Sequence, residues 1–402
     1  MKWDAIVVGA GPAGSAASIL LARRGLKVAL LEKGASLPPK LCGEYLSPGC
    51  LRLLDLLGAT EEVLARGARP LRGMVIHTAR GRVLRGTYPP DGTGREPGGL
   101  AVRRSVLDPV LLDLAARAGA EFLPGVQVVD LLVTGGRVAG VRGRSRSGVL
   151  DLEGRVVVGA DGRASVVARR LGPVRRHRWL RKIAMAGYFE EVERADDRGE
   201  VFLSRESYSI MNPVAPGLTN VALVVNRSGF ERSRDEAAFL GALGRTHREL
   251  AGRMLRARGA SPIRALGPLA HRAARLGAPG ALLVGDAAGF LDPFTGEGIY
   301  TALRTAELAA DSIGRALEDG SPEHPDLRSY ARDWAREVLP KWKVCMVLQH
   351  AIRRPFLAEV LVSQLRRRSA LLSFLMAAVG DLIPPREVGL VRLLLKAMRP
   401  AG

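Results

Sequence analysis

Within its first 32 residues the chain presents a strand, a glycine turn, a helix, a second strand and an acid, in that order. Asp4-Ala5-Ile6-Val7-Val8 is a short apolar run rich in β-branched residues and reads as a buried parallel strand. It enters Gly9-Ala10-Gly11-Pro12-Ala13-Gly14, followed by an alanine-rich amphipathic segment, Ser15 to Arg24, that stops at Gly25. Lys27-Val28-Ala29-Leu30-Leu31 is the second strand, and Glu32 ends it. Two strands joined by a crossover helix call for a parallel sheet with covered faces, which is an α/β fold. Each residue type has a physical task. Gly9 permits a tight turn, and Gly11 lets backbone approach a pyrophosphate with no Cβ in the way. Gly14 lets the helix lie close to the strand, and the helix N-terminus stabilises phosphate charge. Glu32 can accept two hydrogen bonds from a ribose diol, and its charge repels a 2′-phosphate. These features together read as a dinucleotide site without saying which dinucleotide.

Composition narrows the class. A chain of 402 residues with 47% hydrophobic and 25% charged content suits a globular enzyme of one interleaved fold or a few domains. The formal charge of +20 comes mainly from arginines scattered along the sequence. Basic chains attract nucleic acid, anionic lipid or anionic substrates. No nucleic-acid motif or aromatic–basic interleaving accompanies the charge, so a solvated arginine-rich surface is expected, with no nucleic-acid partner. Cys42, Cys50 and Cys345 are too few for a disulfide framework, and nothing has metal-ligand spacing, so no metal is expected. Cysteine usage fits a reducing cytoplasm. A strand starting at Asp4 leads to the expectation that no signal peptide precedes the fold. The apolar stretch around Phe374 to Val379 is too short to span a bilayer.

A second apolar strand, Ala281-Leu282-Leu283-Val284, ends in Gly285-Asp286-Ala287-Ala288-Gly289 and continues through Pro293-Phe294-Thr295-Gly296-Glu297-Gly298-Ile299 into a helix. This stretch resembles the second FAD motif of the single-component flavoprotein hydroxylases, the p-hydroxybenzoate hydroxylase type, and of the geranylgeranyl reductases. Arg155-Val156-Val157-Val158-Gly159-Ala160-Asp161-Gly162, with Ser165 and Arg169 following, resembles the Asp-Gly motif of the same families. Val102-Arg103-Arg104-Ser105-Val106-Leu107-Asp108 matches the place of their pyrophosphate arginine, Arg104 being nearer by its spacing from Asp108 and Arg103 next. The resemblance implies FAD, a glutathione-reductase-like Rossmann domain, and Asp286 as ligand of the ribityl chain. Gly298 and Ile299 would offer backbone N–H groups to the isoalloxazine. It further implies cofactor contacts at Gly9, Gly11, Ala13, Gly14, Glu32, Lys33, Leu41, Cys42, Gly43, Glu44, Val128, Asp161, Gly285, Pro293 and Gly296. From the residues alone, Asp161 also reads as a plain turn aspartate, and the two arginines as a solvated helix start.

The branch is indicated by Lys40-Leu41-Cys42-Gly43-Glu44-Tyr45-Leu46-Ser47-Pro48-Gly49, which is similar to the Cys-Gly-Glu stretch of geranylgeranyl reductases. There the stretch runs along the cofactor and brings the cysteine near the flavin. Two roles stay open for Cys42: a proton donor or tuner of the flavin, or an inert buried thiol. The Tyr-x-Trp-x-Phe-Pro pattern of those reductases corresponds to Ser207-Tyr208-Ser209-Ile210-Met211-Asn212-Pro213, which lacks the tryptophan and phenylalanine. Tyr208 is thus a candidate catalytic residue, or a core tyrosine with a satisfied hydroxyl. The departure leaves the substrate open and disfavours a halogenase. No histidine is assigned a catalytic role, because the chemistry is the flavin's.

The expected architecture is a discontinuous FAD domain (1–75, 100–172 and 275–320), an inserted mixed-sheet substrate domain (76–99 and 173–274) and a helical segment (321–402). In the last, Pro322–Pro325 reads as a linker. Helices are expected over Leu327–Trp342, Cys345–Arg368, Ala370–Ile383 and Val388–Met398. Their basic flanks allow peripheral contact with an anionic membrane, or a cap on the substrate domain or another subunit. Gly241–Gly244 sits in a helical pattern and Gly140–Gly148 reads as a polar turn, so no second nucleotide fingerprint marks a nicotinamide domain. Electrons would come from transiently docked NAD(P)H or from a reduced partner protein. The leading reading is a reductase of carbon–carbon double bonds in a hydrophobic isoprenoid- or polyketide-like substrate. The alternatives are an FAD-dependent monooxygenase of an aromatic or polyketide substrate, and a flavin-binding protein without turnover. Oligomeric state has no sequence signature here.

Overall fold

The computed structural model describes residues 2–90, 98–205, 207–226, 235–318, 328–384 and 387. The linker at Pro322–Pro325 and the helix expected over Val388–Met398 lie outside them.

The strand Trp3–Val8 is the centre of a sheet, flanked in parallel by Val28–Glu32 and by the C-terminal half of Gly148–Gly159. Glu121–Pro124 extends it beyond Val28–Glu32, and Ala281–Leu283 beyond Gly148–Gly159. Helices Pro12–Ala22, Arg104–Arg117 and Glu297–Glu318 bury their apolar sides in one core with these strands. Ile6, Val7, Val156, Val157, Leu282 and Leu283 are solvent-free, which is why these strands are continuous rather than alternating apolar runs. All the glycine and aspartate motifs therefore emerge at the C-terminal edge of one parallel sheet, where ligands of such sheets bind.

The region read as a polar turn at Gly140–Gly148 is instead a hairpin, Arg137–Ser145 against the first half of Gly148–Gly159, with Gln127–Thr134 beside it. Its charges alternate because the ribbon stands in solvent: Arg142 and Asp151 pair across it at 2.7 Å.

A second sheet runs Arg258–Gly259, Lys182–Glu190, Leu218–Asn226, Ser207–Ala215, Arg198–Ser204, Gly73–His77 and Val83–Thr87. It is antiparallel except where Arg198–Ser204 meets Gly73–His77. The latter strand straddles the boundary expected at 75/76. Side chains alternate across the sheet with period two. Met185, Phe189, Met211 and Leu223 pack under helices Glu236–Thr246 and Arg248–Arg253. Ala184, Ala186, Ile210 and Val224 form the opposite face, towards Leu41, Phe290 and Phe294.

At the C-terminal end, helices Arg328–Ile352, Pro355–Arg367 and Ser369–Val379 close over both sheets. The break expected between Trp342 and Cys345 does not occur. The first of these helices continues to Ile352 through Pro340, and the interruption comes at Arg353-Arg354-Pro355, where proline opens the next helix. The following helix ends at Val379 rather than at Ile383.

Candidate cofactor and active site

The three turn glycines differ in what surrounds them. Gly9 has φ +101°, and a Cβ there would lie 2.6 Å from the Ala160 carbonyl oxygen. A Cβ on Gly14 would stand 1.8 Å from the oxygen of Gly9, so strand and helix touch through backbone. A Cβ on Gly11 would meet no protein atom within 4 Å. Its missing side chain answers to something other than protein packing, and the helix it caps carries no side-chain N-cap. Open space at the unsatisfied N–H groups of a helix start suits a phosphate.

Glu32 is buried at the end of its strand, where Oε2 accepts the Ala10 N–H at 3.1 Å. Lys33 beside it is exposed. Val126 donates its N–H to the Glu32 carbonyl at 2.9 Å, which sets buried Val128 near this strand end. Ala13 faces the second motif: a Cβ on Gly285 would lie 3.0 Å from that of Ala13. Two loops distant in sequence thus converge at one place.

Among the described residues no protein donor reaches the Asp286 carboxylate. Burial raises its pKa, partly offset by the charges of His271, Arg104, Arg163 and Lys40. Its backbone oxygen lies 2.9 Å from Nε2 of His271, whose Nδ1 faces the Leu269 oxygen at 2.9 Å. Both partners are backbone acceptors, so His271 bridges two loops through its ring. Sequence reasoning gave this histidine no role. After Pro293–Thr295, Gly296 turns at φ +70° with its Cα against the Tyr45 ring, where a Cβ would lie 2.3 Å from the ring. Gly298 and buried Ile299 then open the helix Glu297–Glu318.

The Cys-Gly-Glu segment is held from three sides. Asn212 donates to the Gly43 oxygen at 2.6 Å, and the Glu44 N–H points to the Cys42 sulfur at 3.2 Å. Glu44 adopts φ +54°, which a non-glycine residue keeps only where its surroundings compensate. Its Oε1 accepts the Tyr188 hydroxyl and, at 2.9 Å, the Arg104 N–H. Oε2 is buried with no hydrogen-bond partner among the described residues. Burial pushes this carboxyl up to about 7, against the lowering effect of the Tyr188 and Arg104 hydrogen bonds. Burial likewise raises the Cys42 thiol, partly offset by Arg104, so at neutral pH it is a thiol rather than a nucleophilic thiolate. The Arg104 guanidinium grips Asp108 through bonds of 2.6 and 2.7 Å, while Arg103 makes no ion pair among the described residues. Asp161 uses Oδ2 to accept the Val166 N–H at 2.6 Å at the start of helix Val166–Leu171, and its buried Oδ1 is unpartnered. The turn reading accounts for one of its oxygens.

Tyr208 is fully buried, and its hydroxyl donates to Asp292. It faces the loop ahead of Pro293 instead of an open pocket. Asp292 Oδ1 also accepts from Gln349 at 2.7 Å and from the Phe294 N–H at 3.0 Å. Lys182 lies 3.8 Å from Asp292 and 4.6 Å from the centre of the Tyr208 ring. A lysine opening an otherwise apolar strand was the sole sequence signal for this cluster. Near the head of helix Glu297–Glu318, burial raises Glu297 to about 7, with Lys341 opposing. Lys341 pairs with Asp381, which accepts Ser47 at 2.5 Å.

The FAD binding domain family matches residues 2–336. A digeranylgeranylglycerophospholipid reductase of Methanothrix thermoacetophila is 31% identical over 345 residues, covering 84% of each chain. Among solved structures, a flavin-dependent brominase superposes with a TM-score of 0.83 at 19% identity over 94% of both chains. A geranylgeranyl bacteriochlorophyll reductase-like protein of Thermoplasma acidophilum gives 0.70 at 21% identity, covering 98% of this chain and 95% of that one. These two likenesses concern the fold alone.

Proposed function

The chain belongs to the FAD binding domain family, alongside the digeranylgeranylglycerophospholipid reductases, and is an FAD-dependent oxidoreductase; from that premise we propose that it reduces carbon–carbon double bonds of an isoprenoid-like hydrocarbon substrate. The observation that carries this reading is the pair Cys42 and Glu44. A half-buried thiol that burial raises and a buried carboxyl raised to about 7 stand beside the cofactor loops as proton carriers, which is what saturating a double bond requires in addition to a hydride.

The residues present fit FAD, since Gly11 leaves a cradle and Asp286 a carboxylate that no donor reaches among the described residues. The chemistry that FAD would supply when bound there and reduced is hydride transfer to one carbon of a double bond. Gly11 and the first turn of helix Pro12–Ala22 hold the pyrophosphate, with Arg103 as the available cation. Glu32 takes the adenosine ribose, and Asp286 the ribityl hydroxyls. Gly298 and Ile299 direct N–H groups from a helix start to where negative charge develops. Glu44 and Cys42 are the side chains that would carry the proton for the second carbon. The face formed by Ala184, Ala186, Ile210, Leu41 and Phe294 excludes water and suits a hydrocarbon chain. Electrons enter from NAD(P)H or from a reduced partner protein.

The test is anaerobic. Flavin reduced on the protein is mixed with a geranylgeranyl lipid, following the absorbance of oxidised flavin and the product mass. Reoxidation without oxygen, with gain of two hydrogens, is expected. Strict dependence on oxygen, with gain of an oxygen atom, would replace this reading by the monooxygenase.

A further inference from the structure

The buried cluster around Asp292 neither holds FAD nor carries a proton, yet it stands directly ahead of the turn that leads to Gly298 and Ile299. We propose that Asp292, Lys182, Tyr208 and Gln349 are positioning residues that fix those two N–H groups against the isoalloxazine and so set the reduction potential of bound flavin. The proposal rests on that placement of the N–H groups and not on the choice of substrate.

Three elements meet at Oδ1 of Asp292. It accepts the Tyr208 hydroxyl from strand Ser207–Ala215, Nε2 of Gln349 at 2.7 Å from helix Arg328–Ile352, and the Phe294 N–H at 3.0 Å in its own turn. The other end of the Gln349 amide accepts from Lys182, which opens strand Lys182–Glu190 and lies 3.8 Å from Asp292 Oδ2. All four side chains are buried, Lys182 being 1% exposed. Stability does not account for them, because well-packed apolar side chains in place of a buried ion pair are commonly as stable or more so. A buried polar network does supply one defined arrangement, since moving any member strands the others without partners.

From Asp292 to the helix the chain has no slack. Pro293 has a fixed φ, and the Gly296 N–H closes the turn on the Pro293 oxygen at 3.0 Å. Gly296 lies against the Tyr45 ring, and the helix begins at Glu297. A displacement of Asp292 is therefore passed on to Gly298. Asp292 and Gly298 also border, with Asp286, one small space. Oriented N–H groups at a helix start favour the reduced, more negative flavin over the oxidised one, and their effect fades within about one turn. Position is thus converted into potential.

The test is an anaerobic reductive titration of the FAD-loaded protein with dithionite against a reference dye. Tyr208→Phe and Gln349→Leu change no charge, so a shifted midpoint in them reports position. Changes at Asp292 or Lys182 alter charge as well, and the neutral pair decides. Each should lower the midpoint while oxidised FAD still binds. For Gln349→Leu the preference for reduced over oxidised FAD should fall roughly tenfold, which for a two-electron couple is about 30 mV. Midpoints equal to the wild type in both variants overturn the proposal, and lowered thermal stability beside them would make the cluster a structural fastening. If both variants lose FAD altogether, the cluster serves binding rather than potential, and the proposal falls. A failed anaerobic reduction of the geranylgeranyl lipid, with the potential shifts intact, would count against the reductase reading alone.

Discussion

Tyr188 donates its phenolic hydrogen to Oε1 of Glu44, tying the mixed sheet to the Cys-Gly-Glu segment 144 positions earlier. The bond favours the ionised carboxylate, while burial favours the protonated form and wins, bringing Glu44 from 4.5 to about 7. A raised acid binds its proton more tightly in the fold than in the unfolded chain. Its stabilising effect is complete below about 4.5 and is lost as pH rises to about 7. Over that window the wild type should lose stability relative to Glu44→Gln, with the difference constant above it. Urea unfolding at several pH values measures this.

Tyr188→Phe removes the donor without removing the burial. The Glu44 carboxyl should then titrate above about 7, seen as an upward shift of its infrared carbonyl band titration, with Glu44→Gln as the blank. A midpoint that stays put would mean that the tyrosine has no hold on the acid.

Gly11 and Gly14 should separate binding from folding. Gly11→Ala adds a methyl group where no protein atom lies, so thermal stability of the apoprotein is kept while FAD affinity falls by roughly tenfold or more. Gly14→Ala drives a methyl group into the Gly9 carbonyl and should cost about 3 kcal/mol or more in folding. Calorimetry with flavin fluorescence on both variants checks the pair.

Asp286→Asn removes a half-buried carboxylate that no donor reaches among the described residues. The apoprotein should be as stable as the wild type or more so at neutral pH, while FAD binding weakens by about 1.5–3 kcal/mol. Equilibrium flavin titration reports the second quantity.

Lys341 and Asp381 are almost solvent-free. Lys341→Met leaves the carboxylate buried without its cation and should cost about 3–5 kcal/mol, whereas Lys341→Met with Asp381→Leu recovers most of it. Denaturant midpoints of the single and double variants decide.

The parallel sheet, its glycine turn and the Gly285-Asp286 motif were legible because each is written locally: apolar run, small residue, acid, within a few positions. The Arg137–Ser145 hairpin was not, since only a few small apolar residues such as Val138 and Val141 face the core among glycines and arginines, too sparse a pattern for a core strand. Helix Arg328–Ile352 was divided in the sequence reading because its buried residues change partners along its length: Tyr330, Trp334 and Val338 join the main core, while Val344, Cys345 and Ile352 join separate clusters. Glu44 and Arg104 were each picked out by motif, but the contacts that hold the Cys-Gly-Glu segment were not. Tyr188, Arg104 and Asn212 come from three other elements, and only the completed topology brings them together. The same holds for Lys182 with Asp292 and Gln349, and for His271 with Asp286.

Asp381 meets Ser47 across 334 positions. The segment that follows Glu44 is therefore fastened only after residue 381 has been made. A chain stopped between Lys341 and Asp381 would hold that lysine without its counter-charge. Such products should unfold and be proteolysed more readily than a chain that carries Asp381.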